Sequence, residues 1–210
     1  MMKRDGHWMS SFEKHIRSVP AYSDFSYLNH RLLLTTNARL PYDVIFLLNA
    51  LFAVLAEAVE KSTGYYSNFT GDGLMALFGL DGKRAEGAKA ALRCALAMFQ
   101  ARDSLNERLT GELETPLAIG IGIHTGQAIV GRMGPPKTPI ISAVGDSVNT
   151  AARLERTTKE LGVPLVVSAE TLRAAGLDAA ATLTQVSLRG RAATMPVAAL
   201  DKASLREIRI

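Results

Sequence analysis

Apolar and polar positions become regular after Pro41 and predict helices alternating with hairpin-linked strands. One helix is predicted over 43–61, ended near Gly64, and another over 84–109, where apolar residues recur at helical spacing. Between them, "YYSNFTGDGLMALFG" predicts two strands around a Gly-Asp-Gly turn. Residues 1–39 are polar and weakly patterned, and they predict no element clearly.

The stretch "PLAIGIGIHTGQAIVGRMG" predicts a strand with one apolar face and one nearly bare face. The bare face carries Gly120 and Gly122, and Thr125-Gly126 is expected to turn the chain into a second strand, "QAIVG". These glycines lie inside a strand, so the Gly-rich dinucleotide fingerprint, which opens a helix, is excluded. A bare face suits either a closely approaching ligand or a helix packed on it, and this segment favours neither.

In "ISAVGDSVNTAARLE", an apolar strand enters Gly145-Asp146 and a helix follows over 147–161, closed by Gly162. Beyond it, "VPLVVS" predicts a strand, 169–175 a short helix, and "TLTQVSL–RGR–ATMPVAAL" a final hairpin. This alternation indicates an α+β fold in which helices cover one face of a sheet.

Composition narrows the class of protein. With 210 residues, 48% of them hydrophobic and 21% charged, the chain is typical of one folded domain of a soluble, cytoplasmic protein. The single Cys94 excludes an internal disulfide. The net charge of +4 suits an anionic ligand such as a nucleotide, but no Lys/Arg block indicates a nucleic-acid polymer as partner. The most apolar run, Val44 to Val59, is too short for a membrane span, and the N-terminus has no secretory pattern.

Three residues suggest chemistry before any family is considered. Asn149 and Arg153 lie one turn apart near a helix start, which favours anions, and a planar guanidinium there suits phosphate oxygens. The alternative is an ordinary solvated helix face. Asp72 at a hairpin tip could hold a divalent cation, although Asp-Gly is also what a tight turn requires.

Four segments resemble, in amino-acid sequence and in their order along the chain, the catalytic domain of class III nucleotide cyclases, the adenylate/guanylate cyclase family. These segments are "NFTGDGLMALFG", "AIGIGIHTGQAIVG", "ISAVGDSVNTAARLE" and "VSLRGRAATMPVAAL". The resemblance implies a ferredoxin-like sheet with helices on one face, and a head-to-tail homodimer with active sites at the interface. It also implies conversion of ATP or GTP to the 3′,5′-cyclic monophosphate and pyrophosphate with two Mg²⁺ or Mn²⁺ ions held by two aspartates.

The resemblance assigns roles residue by residue. Asp72 matches the second metal aspartate and Asn149 the residue that orients the ribose. Arg153 matches the cation that stabilises charge developing on the α-phosphate, and Arg191 matches a basic residue that contacts the terminal phosphates. The resemblance also explains the bare glycine face, because the family's nucleotide lies against this sheet.

The first metal aspartate of the family has no clear counterpart. An ungapped match puts Leu28 or Asn29 at its position, another register puts Asn37 there, and only extra residues allow Asp24 to supply the carboxylate. Without a carboxylate, two-metal catalysis is compromised, because an amide binds Mg²⁺ poorly. The alternative to an active cyclase is therefore a weak or inactive module that binds nucleotide or dimerises.

The positions that select the base are unusual for the family. Asn68 stands where adenylate cyclases tend to carry Lys and guanylate cyclases Glu, and its partner position is Ser142. An amide pairs with either purine edge, so only the commonness of adenine in the family favours ATP. We expect an atypical N-terminal segment over 1–39, the cyclase domain over 40–202 and a tail over 203–210.

Overall fold

The computed structural model describes residues 22–33, 41–70, 72–135, 137, 139–179, 181–188 and 193–208, with backbone only for 22–33, 41–42 and 68–70. These residues form eight strands and five helices. The strands are β1 (Tyr22–Leu33), β2 (Tyr65–Thr70), β3 (Gly73–Phe78), β4 (Ala118–Met133), β5 (Ile140–Val144), β6 (Leu165–Ser168), β7 (Thr184–Ser187) and β8 (Thr194–Leu200). The helices are α1 (Pro41–Lys61), α2 (Arg84–Arg108), α3 (Asp146–Leu161), α4 (Ala169–Ala175) and α5 (Lys202–Glu207).

All eight strands belong to one mixed sheet, in the order β2-β3-β1-β4-β6-β8-β7, with β5 pairing the far end of β4. β1 lies inside the sheet between β3 and β4 and is antiparallel to both. The sheet therefore includes part of the segment over 1–39 that the sequence pattern had left unassigned. At the other end of the chain, Leu205 of α5 is buried in the core, within the expected tail.

One face of the sheet packs on the main hydrophobic core. Ile119, Ile121 and Ile123 of β4 point to this face, where they belong to one cluster of buried apolar side chains together with residues of α1 and α2. Cys94 of α2 is buried there too, and burial raises the pKa of its thiol to about 12. The alternation of apolar and small residues along β4 is therefore what separates the two faces of the sheet, as the sequence predicted.

The opposite face of β4 carries the glycines, and α3 packs directly on them. A Cβ atom at Gly122 would lie 2.3 Å from the backbone nitrogen of Glu155 and 2.4 Å from the carbonyl oxygen of Ala151. At Gly120 it would lie 2.4 Å from Thr158 Oγ1. These distances leave no room for any side chain, so the interpretation of the bare face as a nucleotide platform is wrong here. The glycines admit a helix, which thus lies on the other side of the sheet from α1 and α2.

The expected turn at Thr125-Gly126 is also wrong. β4 runs through both residues without interruption, because they pair with Ser26 and Phe25 of β1. The other predicted elements from 43 onward are confirmed within a few residues at their ends. Gly162 closes α3 in the left-handed conformation (φ 66°), which glycine adopts at no steric cost.

Among the described residues, no helix is both long enough and apolar enough to cross a membrane.

Candidate active site

Asn149, Arg153, Arg156 and Glu160 follow one another at helical spacing on α3 and form a polar stripe that points away from the sheet. Its buried side, including Ala151 and Leu154, packs on the sheet, whereas Asn149 is exposed and Arg153 is half-buried. One helical turn separates Asn149 from Arg153, so the two side chains lie on the same face. The close packing of α3 on the glycines fixes the position of this pair relative to β4.

The same stripe continues along one wall of an open groove. The groove has a volume of about 420 Å³ and is lined by Arg153, Arg156, Thr157, Glu160, Ser187 and Leu188. Its far wall therefore comes from the end of β7. Within the described part of the chain, neither guanidinium in the groove forms an ion pair. A groove of this size, lined by two unpaired cations, is suited to an elongated anion.

The two positions that the resemblance assigns to base selection, Asn68 and Ser142, lie in neighbouring segments of the fold. The Ser67 hydroxyl, buried in β2, donates a hydrogen bond to the carbonyl oxygen of Ile141 in β5 at 2.8 Å. Asn68 follows Ser67 directly, and the half-buried Ser142 follows Ile141. The structure thus brings the backbone at Asn68 and Ser142 to the same region. The sequence analysis did not single out Ser67, whose only signal was its place beside Asn68.

Asp72 lies in the turn between β2 and β3 and is half-buried. Arg31 of β1 pairs with Gly73, so the next β1 residue, Leu32, is level with Asp72. Neither these β1 residues nor any residue from 25 to 42 is Asp or Glu. No group of three or more His, Cys, Asp or Glu side chains among the described residues could hold a metal ion.

The register does not bring Asp24 to Asp72. Asp24 pairs with Gln127 of β4, eight residues along β1 from the level of Asp72, or about 26 Å at roughly 3.3 Å per residue. The two carboxylates of one chain therefore cannot share an ion. Among the described residues, the carboxylates fit a single cation held by Asp72 together with substrate phosphates, but they do not fit a pair of ions.

Two other candidates can be placed only in part. Arg191 falls in the segment 189–192, outside the described residues, between Leu188 at the groove and β8. The side chain of Asn68 is likewise outside them. We refer below to α3 with Asn149, Arg153 and the adjoining β4–β5 region as the helix half of the site. The β2–β3 turn with Asp72, together with β1, is the hairpin half.

Comparison with known proteins decides the family. The family model described as the adenylate and guanylate cyclase catalytic domain matches residues 25–197. The chain belongs to this family. The cyclase match includes β1 from residue 25 onward and both halves of the site, and it begins one residue after Asp24.

Two curated relatives of this cyclase domain are adenylate cyclases. Adenylate cyclase of Anabaena cylindrica is 32% identical over 137 residues, which make up 63% of this chain and 26% of that protein. Adenylate cyclase 1 of Rhizobium meliloti (strain 1021) is 31% identical over 133 residues, 63% of this chain and 20% of that protein. The chain thus spans about a quarter or less of these curated relatives.

Solved structures confirm the α+β cyclase fold. The guanylyl cyclase Cya2 superposes with a TM-score of 0.75 and 28% identity, covering 84% of this chain and 91% of that one. The adenylyl cyclase CyaB from P. aeruginosa gives a TM-score of 0.73, covering 86% and 95%. Its identity of 20% shows the fold alone.

Proposed function

We propose that the chain is a purine nucleotide cyclase that converts ATP to 3′,5′-cyclic AMP and pyrophosphate. The observation that carries this proposal is the Asn149–Arg153 pair, held on the solvent side of α3 by backbone packing and continuous with a cationic groove. ATP is preferred to GTP because the curated relatives named above are adenylate cyclases. The guanylyl cyclase of similar structure keeps GTP as the second substrate to test.

The chain's own residues divide the work of binding and charge stabilisation. Asn149 orients the ribose so that its 3′-hydroxyl faces the α-phosphate, which turns the attack into an oriented, effectively unimolecular step. Arg153 stabilises the negative charge that develops on the α-phosphate oxygens. Asn68 and Ser142 bind the edge of the purine. Asp72 would hold one Mg²⁺ or Mn²⁺, and such an ion neutralises phosphate charge and acidifies the hydroxyl.

A second copy of the chain would complete the site. Ile129 and Val144, which pair across β4 and β5, are 50% and 57% exposed, and Ile140 is 42% exposed. Several exposed apolar side chains on one pair of neighbouring strands are typical of a protein–protein contact. In the proposed head-to-tail homodimer, the helix half of one protomer faces the hairpin half of its partner, so Asp72 and Arg153 act from different copies.

The test is turnover of ATP and GTP by the purified chain with Mn²⁺, followed by chromatography of the cyclic products. We expect cyclic AMP, and we expect Arg153→Ala to lower kcat about 100-fold or more, as removal of one preorganised charge-stabilising donor does. Lys159→Ala, which removes an exposed cation outside the groove on the same helix, is the matched control and should retain activity. Equal activity in the two variants would contradict the proposal.

A second candidate function follows from the hairpin half. Because no carboxylate of β1 lies level with Asp72, the chain could bind nucleotide and dimerise without catalysing the reaction. That function predicts that ATP raises the melting temperature while no cyclic nucleotide forms at any Mn²⁺ concentration. Cyclic AMP formation that depends on Arg153 would exclude it.

A further inference from the structure

Arg156 is a second cation in the groove, one turn beyond the proposed catalytic pair. Arg153 and Arg156 are three residues apart on α3, where like charges destabilise a helix. Within the described residues, no acidic side chain pairs with either one, and Glu160 lines the groove without forming an ion pair. Two adjacent, unpaired guanidinium groups in an open groove indicate a site whose missing partner is an anion.

The order of side chains along α3 matches the order of groups along a nucleoside triphosphate. Seven residues separate Asn149 from Arg156, which is about 10 Å along a helix that rises 1.5 Å per residue. With the ribose at Asn149 and the α-phosphate at Arg153, the next position along the groove is that of the β- and γ-phosphates. Arg156 occupies this position, and Glu160 marks the end of the cationic part of the groove.

The hairpin half explains why an additional cation is needed. Its residues fit one ion at Asp72 and no second, so the triphosphate would have one divalent cation fewer to neutralise it. Arg153 and Arg156 together carry the formal charge of one divalent cation, and Arg156 adds one positive charge to that already assigned to Arg153. Unlike an ion, they need no carboxylate ligands.

We propose that Arg156 binds the terminal phosphates of the substrate, and pyrophosphate after the reaction. It thereby supplies positive charge that, in the family's two-metal mechanism, comes from the second metal ion. This proposal rests on the nucleotide cyclase function proposed above. It makes Arg156 a substrate-binding residue that affects the KM for ATP more than kcat. It also makes polyphosphate binding partly independent of divalent metal.

The experiment measures binding of tripolyphosphate, pyrophosphate and AMP by calorimetry, with and without Mn²⁺, alongside steady-state kinetics. The variants are Arg156→Ala, Arg156→Lys and the control Lys159→Ala, all at exposed positions of α3. We expect Arg156→Ala to weaken tripolyphosphate binding about 10-fold or more and to raise the KM for ATP similarly, with AMP binding unchanged. Arg156→Lys should restore part of the loss, because it keeps the charge but not the planar fork.

The outcomes separate this inference from the proposed function. If the wild-type chain forms no cyclic nucleotide, the proposed function fails, and the polyphosphate affinities still decide the role of Arg156. If the wild-type chain is active but Arg156→Ala behaves like Lys159→Ala in both assays, the role of Arg156 alone is refuted. Failure of the wild-type chain to bind tripolyphosphate would also overturn it.

Discussion

The helix half and the hairpin half of the site differ in what holds them in place. α3 rests on the bare backbone of β4, where Gly120 and Gly122 allow contacts too close for any side chain. The hairpin half is built differently: Asp72 lies in the turn between β2 and β3, and the neighbouring positions of β1 carry Arg31 and Leu32. In the helix half, packing fixes the positions of the functional side chains. In the hairpin half, the proposed metal site depends on one carboxylate, that of Asp72.

This difference shows which part of a cyclase site tolerates change. A helix packed on glycines has one allowed position, so its outward side chains keep a fixed direction. Any chain that has Asn149 and Arg153 on such a helix therefore also has the geometry of the pair. A metal site at a hairpin tip depends on separate ligands, and loss of one leaves the fold intact. By the resemblance seen in the sequence, the chain has both expected residues of the helix half, Asn149 and Arg153, whereas the hairpin half has no clear counterpart of the first metal aspartate.

The largest expected effect comes from filling the space beneath α3. Gly122→Ala would place a methyl group 2.3 Å from the backbone nitrogen of Glu155, and backbone atoms cannot yield as a flexible side chain would. We expect a loss of about 3 kcal/mol or more in the free energy of unfolding, at the upper end of overpacking effects. Urea denaturation followed by circular dichroism measures it.

Gly131→Ala is the matched control for that experiment. Gly131 lies on the same strand, β4, and a Cβ atom there would meet nothing within 4 Å. We expect its unfolding free energy to stay within about 0.5 kcal/mol of wild type. If Gly122→Ala is tolerated equally well, α3 is not fixed by the glycine face, and the contrast between the two halves disappears.

The next effect tests whether the halves come from different copies. Arg153→Ala and Asp72→Ala should each abolish most cyclase activity, whereas a mixture of the two proteins should regain about a quarter of the wild-type rate. The reason is statistical: half of the dimers formed at random are mixed, and one of the two sites in each mixed dimer has both residues intact. The measurement is cyclic AMP formation after the two variants are mixed, unfolded and refolded together.

Lys159→Ala mixed with Asp72→Ala provides the comparison. Lys159 lies outside the groove, so its loss should not affect activity. The activity of this mixture should therefore depend only on the fraction of protomers that carry an intact Asp72. A mixture of Arg153→Ala and Asp72→Ala that stays inactive would show that both residues serve one copy, and the proposed head-to-tail arrangement would have to be abandoned.

Much of the fold could be predicted because local patterns decide it. The Gly-Asp-Gly turn, the glycine that closes α3 and the alternation along β4 each express a local rule of backbone conformation or burial. The helix half followed from the same stretch of sequence, since Asn149 and Arg153 lie on one helix. The amino-acid sequence of this stretch is also part of the family resemblance, which the family match confirms.

The rest depended on partners distant in sequence. Nothing near Gly122 shows that α3, some thirty residues later, fills the space beside it, so a ligand and a helix were equally good interpretations. The same limit made Thr125-Gly126 resemble a turn, although pairing with β1 keeps it extended. The position of Asp24 could not be judged either, because the register of β1 against β3 and β4 is a property of the sheet.

A smaller effect is expected at the link between β2 and β5. Ser67→Ala removes the hydroxyl that donates to the Ile141 carbonyl oxygen and leaves that buried acceptor without this donor. We expect a loss of about 1 kcal/mol in unfolding free energy and a change in the ratio of ATP to GTP turnover. Ser67→Thr, which keeps the hydroxyl, should preserve the ratio better. An unchanged ratio in Ser67→Ala would mean that this bond does not position the purine-binding residues.

The smallest effect is expected at the carboxylate that the sequence offered as the first metal ligand. Asp24→Asn should change the KM for ATP and the Mn²⁺ concentration for half-maximal activity by less than about twofold, whereas Asp72→Asn should change both strongly. The reason is the strand register, which places Asp24 beside Gln127, about 26 Å along β1 from the level of Asp72 at roughly 3.3 Å per residue. Titration of activity with Mn²⁺ makes the comparison, and the two substitutions are chemically identical.

If Asp24→Asn weakens the Mn²⁺ dependence as much as Asp72→Asn does, Asp24 reaches the ion from the partner protomer, and the site has two carboxylates after all. Arg156 would then have no missing ion to replace, so this measurement decides between a site with two ions and one in which arginine takes the place of the second.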